Sequence, residues 1–128
     1  MRQRLVVLTV ALFALVAFAG FSLLTPGMAR AQTTDDCVHD PTIASLEACV
    51  EHAASHGFID NQGIENSLLA KLDAAQSAYD RGQKSVAINN LQAFINEVQT
   101  QTGKHIDHMH AQHLVMHAQL VIRALEKG

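Results

Sequence analysis

Between Ile43 and Leu125 the apolar residues return every three or four positions and never alternate long enough to make a strand. That period is what an α-helix with one buried face requires. Ile43, Leu46, Val50 and Ala54 form a first stripe, and Ile64, Leu68, Leu72, Ala75 and Tyr79 a second. Ala87, Leu91, Phe94 and Val98 form a third, broadened by Ile88 and Ile95, and Ala111, Leu114, Ala118, Val121 and Leu125 a fourth. Gly57, Arg81-Gly82 and Gly103 separate the stripes as helix stops. Asp40 followed by Pro41, then Asp60 or Asn61, then Asp107 offer N-caps. The links are only a few residues long, so successive helices must run antiparallel. The pattern predicts an all-α fold, a small antiparallel bundle of four amphipathic helices.

The first 31 residues stand apart from that pattern. Met1–Arg4 is basic, Leu5–Leu24 carries no charge, Pro26-Gly27 breaks any helix, and Ala29-Arg30-Ala31 supplies a small-x-small cleavage site. This is the layout of a signal peptide over residues 1–31, removed on export. A run of 20 residues is also long enough to span a bilayer, so a retained membrane anchor over residues 5–24 is the alternative. Thr9, Gly20 and Ser22 dilute the run, which favours cleavage. Cleavage after Ala31 leaves Gln32–Gly128, with six Lys/Arg against twelve Asp/Glu and a net charge of −6 with histidine neutral. Such a chain repels phosphate backbones, and its three aromatics (Phe58, Tyr79 and Phe94) make a poor stacking platform, so nucleic acid is excluded as a partner. Once cleaved, it has no apolar run left to hold it in a membrane.

Cys37 and Cys49 are the only cysteines, and both lie in the exported part. An even count in an oxidising compartment reads as a disulfide, and the spacing is not the C-x-x-C of a redox or metal pair. The bridge is expected to tie an N-terminal segment, residues 32–41, to the first helix of a helical domain over residues 42–128.

A longer pattern runs through the helices. Gly57-Phe58-Ile59-Asp60-Asn61-Gln62-Gly63-Ile64 leads into Asn66-Ser67-Leu68-Leu69-Ala70-Lys71-Leu72, and Ala93-Phe94-Ile95-Asn96-Glu97-Val98, Gly103-Lys104-His105-Ile106 and Ala118-Gln119-Leu120-Val121-Ile122 follow. Together these segments, from Gly57 to about Leu125, resemble the FIMAH domain, a small helical module of secreted bacterial proteins often attached to extracellular hydrolases. The resemblance implies export and a non-catalytic accessory role, and brings no catalytic residues with it. The chain differs from the usual setting in having no enzyme domain in its sequence and an unusually histidine-rich last helix.

His105, His108, His110, His113 and His117 crowd into that last helix. At 100° per residue, His110, His113 and His117 share an arc beside the apolar stripe. The His113-x-x-x-His117 spacing lets two imidazoles meet one ion, and His52-x-x-x-His56 repeats it. The chemistry implied is a site for Zn, Ni or Cu on His110, His113 and His117. The plainer alternative is a solvated helix flank, since no Asp or Glu lies beside these pairs on the same face. His113-Leu114-Val115-Met116-His117 has leucine where a zinc protease needs its general-base glutamate, so that enzyme class is excluded. Asp60-Asn61-Gln62-Gly63 lacks the further ligands of a calcium loop, and Ser67 lacks a nucleophile-elbow turn. Phe58 and Phe94 are expected as core anchors, and Glu47, Glu51, Asp73, Asp80 and Glu97 as solvated outward charges.

These readings converge on a secreted, non-enzymatic helical module that needs no cofactor and binds a protein or another cell-envelope component. The alternative is an extracellular metal-binding protein built on the last helix.

Overall fold

The computed structural model describes residues 37–128, and the expected signal peptide lies outside the described residues. Four helices follow one another: α1 (Ile43–Ser55), α2 (Gln62–Asp80), α3 (Lys84–Gln101) and α4 (His108–Lys127). Helix α1 packs against α2 and α4, and α3 packs against the same two, so the four close into a ring around one core. Short links and this neighbour pattern give the antiparallel bundle that the apolar stripes predict.

Three of the four helices begin where a side chain accepts from their first free N–H groups, and α3, which follows Gln83, has no such cap. The Asn61 side chain accepts from Ile64 N at 3.1 Å and opens α2. Asp107 Oδ1 accepts from Met109 N and His110 N and opens α4. The start of α1 departs from expectation: Thr42, not Asp40, is the cap, its hydroxyl accepting from Ser45 N at 3.2 Å. Pro41 therefore precedes the helix rather than occupying its first turn. Gly57, Gly82 and Gly103 all take positive φ (77°, 73° and 73°), the left-handed conformation that ends a helix at least cost to glycine.

The core is the union of the four stripes. Phe94, Leu46, Leu68, Leu72 and Leu91 are among the largest fully buried side chains. Tyr79 departs from its stripe: it is 44% exposed, and Ala78 takes the buried position one residue earlier. Ala75, Ala78 and Ala87 are wholly buried, which permits the close approach of α2 and α3. Two core residues lie outside the helices altogether. Ile59 and Ile106 sit in the α1–α2 and α3–α4 links, and an isolated antiparallel bridge joins them. Asp60 N donates to His105 O at 3.1 Å and Asp107 N to Phe58 O at 2.9 Å, so the two links at that end of the bundle are laced together.

Ahead of α1, Cys37–Pro41 lies back along the helix. The Cys37–Cys49 disulfide joins it to the middle of α1, with a Cα–Cα distance of 5.2 Å. Ser45 reinforces the bridge, since its hydroxyl donates to Val38 O and accepts from Asp40 N. The expected staple is present. Among the described residues, no helix is long and apolar enough to cross a membrane.

Candidate functional site: a pocket of imidazoles

The disulfide places His39 over the flank of α4 that carries His113 and His117. His52 comes from α1 and His110 from the first turn of α4. These five histidines line one small cavity together with Cys37, Cys49, Ala53 and Leu114. Its volume is about 30 Å³, room for a single water or ion. The rings of His39 and His117 are centred 5.0 Å apart, those of His39 and His113 6.2 Å, and those of His110 and His113 6.3 Å.

His117 is the fixed point of this pocket. It is 1% exposed, the one buried polar side chain among the core residues described. Its Nε2 lies 2.7 Å from the carbonyl oxygen of Asp40. A carbonyl can only accept, so Nε2 carries the proton and, in the neutral ring, Nδ1 bears the lone pair. That Nδ1 is buried and has no hydrogen-bond partner. Burial pushes the His117 pKa below the ordinary histidine value, only partly opposed by the Asp40 carbonyl, and His39 adds to the lowering. The ring is neutral at pH 7.

His110 is oriented by the same logic from the other side. Its Nδ1 lies 3.0 Å from Asp107 Oδ1, and a carboxylate likewise only accepts, which leaves Nε2 as the lone-pair nitrogen of the neutral ring. The His110 ring also stacks on Phe58, with centroids 3.5 Å apart. Hydrogen bonds from the His110 side chain and backbone hold the Asp107 carboxyl below the usual carboxylate range. The N-cap of α4 thus turns its capping oxygen, Oδ1, on the His110 ring as well.

The remaining histidines are placed less uniformly than the sequence expects. His105 precedes α4 and bonds Asp60 Oδ1 at 2.9 Å, which laces the two links instead of joining the pocket. His56 stacks beside His52 at 4.1 Å, but its Nδ1 is turned to the His52 carbonyl at the end of its own helix. His39 has no signal in the sequence that would single it out; the disulfide and the Asp40–His117 bond bring it to α4.

Two further polar groups could carry chemistry. Cys37, His39 and Cys49 bring ligand-type atoms within 4.8 Å of one another, but the sulfurs are joined in the disulfide and offer no thiolate. Between α2 and α3, Ser67 Oγ donates to Glu97 Oε2 at 2.9 Å, while Lys71 Nζ donates to Ser67 Oγ at 3.0 Å and pairs with Glu97 at 2.5 Å. Lysine gives protons to the serine here and cannot serve as its base, so the trio is a clamp between two helices. Glu97 is accordingly a half-buried partner of α2 rather than the solvated charge expected of it. Phe94 is a core anchor as expected, whereas Phe58 lies at the core's edge beneath His110.

No curated protein and no solved structure matches this chain. The family model described as the FIMAH domain matches residues 43–123, the whole of α1 to α3 and most of α4. The chain therefore belongs to the FIMAH domain family.

Proposed function

We propose that this protein is an exported, non-catalytic helical module that works by binding another protein at or outside the cell envelope, with an extracellular hydrolase as the partner. The observation that carries the reading is a hollow of about 280 Å³ between α3 and α4, lined by Gln99, Thr102, Ala111, Gln112, Val115 and Met116. Met116 is 57% exposed, and Met109, two helical turns earlier on the same face, is 63% exposed. Unbranched, polarizable methionines adapt to a partner's shape and recur on binding surfaces. The net charge of −6 on Gln32–Gly128 favours a partner that is basic around an apolar contact. The disulfide and the accessory character of the family support an extracytoplasmic site of action.

The test is affinity capture from culture supernatant with the exported form as bait, beside a Met109→Glu/Met116→Glu variant. A captured hydrolase that the variant fails to retain supports the reading. Capture unchanged by the variant, retention by insoluble envelope polysaccharide alone, or hydrolysis of peptides or glycosides by the purified protein itself would overturn it.

A further inference from the structure

We propose that His117, His39 and His113 hold one divalent transition-metal ion of the imidazole-binding class, Zn2+, Ni2+ or Cu2+, in the pocket beneath the disulfide. The ion's first ligand is His117 Nδ1. That nitrogen is buried without a hydrogen-bond partner on a ring that lines the cavity, and such a lone pair is costly unless a donor or a cation meets it. The other ring nitrogen donates to the Asp40 carbonyl at 2.7 Å. This is the outer-shell contact that fixes tautomer and ring orientation in metal-bound histidines.

One ring spacing in the pocket matches a shared ion and a second lies about 1 Å beyond it. With a metal–nitrogen bond of about 2.0–2.1 Å, a ring centre sits roughly 3.2 Å from the ion, and two rings at a tetrahedral angle lie roughly 5 Å apart. His39 and His117 are 5.0 Å apart, and His39 and His113 6.2 Å. His39 and His113 are exposed side chains, which leaves them the rotational freedom to close the remaining distance on an ion. His110 lines the same cavity, and its Nδ1 bond to Asp107 presets Nε2 as its lone-pair nitrogen. The donor set is all nitrogen, because the sulfurs beside it are bonded to each other. Neutral imidazoles without carboxylate or thiolate select borderline cations over Ca2+ and Mg2+ and, by the usual order of stability, bind Cu2+ most tightly.

Two chain segments 77 residues apart meet at this point, since His117 reaches the backbone of Asp40. The ion would therefore tie the N-terminal segment to α4, and its binding would stabilise the fold.

The experiment is calorimetry with Zn2+, Ni2+ and Cu2+ on the exported, disulfide-intact protein carrying no histidine tag. The expected result is one ion per chain with a dissociation constant below about 10 μM, weak for a structural metal site but tighter than exposed pairs of histidines give. His39→Ala and His113→Ala, at exposed positions, should each weaken binding by about tenfold or more. His117→Gln should abolish it, and His105→Ala, outside the pocket, should leave it unchanged. Nitrogen chemical shifts supply a readout independent of affinity: His117 Nδ1 should lose its free-lone-pair signal on addition of Zn2+. Failure of all three cations to bind saturably, several ions per chain, or binding that survives the His39→Ala/His113→Ala double variant would overturn the site. It would leave a buried water as the partner of His117 Nδ1. None of these outcomes bears on capture through Met109 and Met116, so the two readings stand or fall separately.

Discussion

A single glycine shows how tightly the α3–α4 turn is built. Gly103 has φ of 73°, and a Cβ added there would sit 2.7 Å from His108 Nε2. Gly103→Ala therefore combines backbone strain with a clash against an imidazole, and we expect a loss of about 1–2 kcal/mol in denaturant unfolding. The same substitution at Gly82, where φ is 73° but nothing lies within 4 Å, should cost less, about 1 kcal/mol. Equal losses would show that His108 turns aside freely. Glu47 is a residue under the opposite pressure. Partial burial raises its pKa above the ordinary value, and Asp73 and Glu51 add repulsion. A carboxyl with a raised folded pKa stabilises the fold below its unfolded pKa and withdraws that stability as pH rises through the folded value. Glu47→Gln should thus gain a few tenths of a kcal/mol at pH 7, the small size reflecting solvent screening, and nothing at pH 3. A loss at pH 7 would mean that the carboxylate has a favourable contact outweighing the repulsion.

The helices divide between what local sequence determines and what packing decides. Asp107 is legible as a cap because it stands just ahead of an apolar stripe, and the same signal narrows the start of α2 to Asp60 or Asn61, of which Asn61 is the cap. At α1 two candidates compete within three residues, and Thr42 prevails because its hydroxyl reaches Ser45 N while the Asp40 backbone is held by Ser45 Oγ and His117. Nothing local signals that contest. The site divides in the same way. His110, His113 and His117 are readable together from helical spacing, whereas His39 and His52 enter through the disulfide and the packing of α1 on α4. Ile59 and Ile106 are core residues without periodicity, because links carry no helical register for a pattern to follow.

Helix α4 should also respond to pH in the metal-free protein. The titratable groups around His117 are His39 and Asp40 on the N-terminal segment, His52 on α1, and His110 and His113 on α4 itself. Its folded pKa is depressed, so the stability it contributes is complete above the unfolded histidine value near 6.5 and is lost as pH falls below it. Asp107, lowered by its bonds to His110 and Met109, contributes stability that is complete above the unfolded aspartate value and lost only in stronger acid. The two windows are separate. Melting temperature should be highest near neutrality, fall between about pH 6.5 and 5, and fall again below about pH 4. In His117→Gln the first fall should vanish and the second remain. A wild-type melt that stays flat from pH 7 to 5 would dissociate His117 from the stability of α4.

At the scale of the molecule, the Cys37–Cys49 bridge is the element whose removal should be felt farthest from its own atoms. It closes a loop with a sequence separation of 12, for which chain-entropy arithmetic gives about 3 kcal/mol. A second loss accompanies it. Without the bridge, Cys37–Pro41 is held to α1 chiefly by the hydrogen bonds of Ser45, and its hold on α4 rests on the Asp40 carbonyl that accepts from His117. If the segment lifts away, His117 Nε2 loses its protein partner and neither nitrogen of a ring set into the core is then paired within the protein, though water can reach them, so this adds only about 1 kcal/mol. The entropic effect on the unfolded chain is the larger of the two. Cys37→Ser/Cys49→Ser should therefore lose about 2–4 kcal/mol, or roughly 10–20 °C in melting temperature for a domain of this size. Helical circular dichroism should be nearly unchanged at 20 °C, because neither cysteine lies in α2, α3 or α4 and the apolar stripes of those helices are untouched. Adding His117→Gln to the double serine variant should cost less than the same change in the wild type, since the Asp40 contact is already loosened. Additive losses would show that the segment stays in place without its disulfide, held by Ser45 and the Asp40–His117 bond alone.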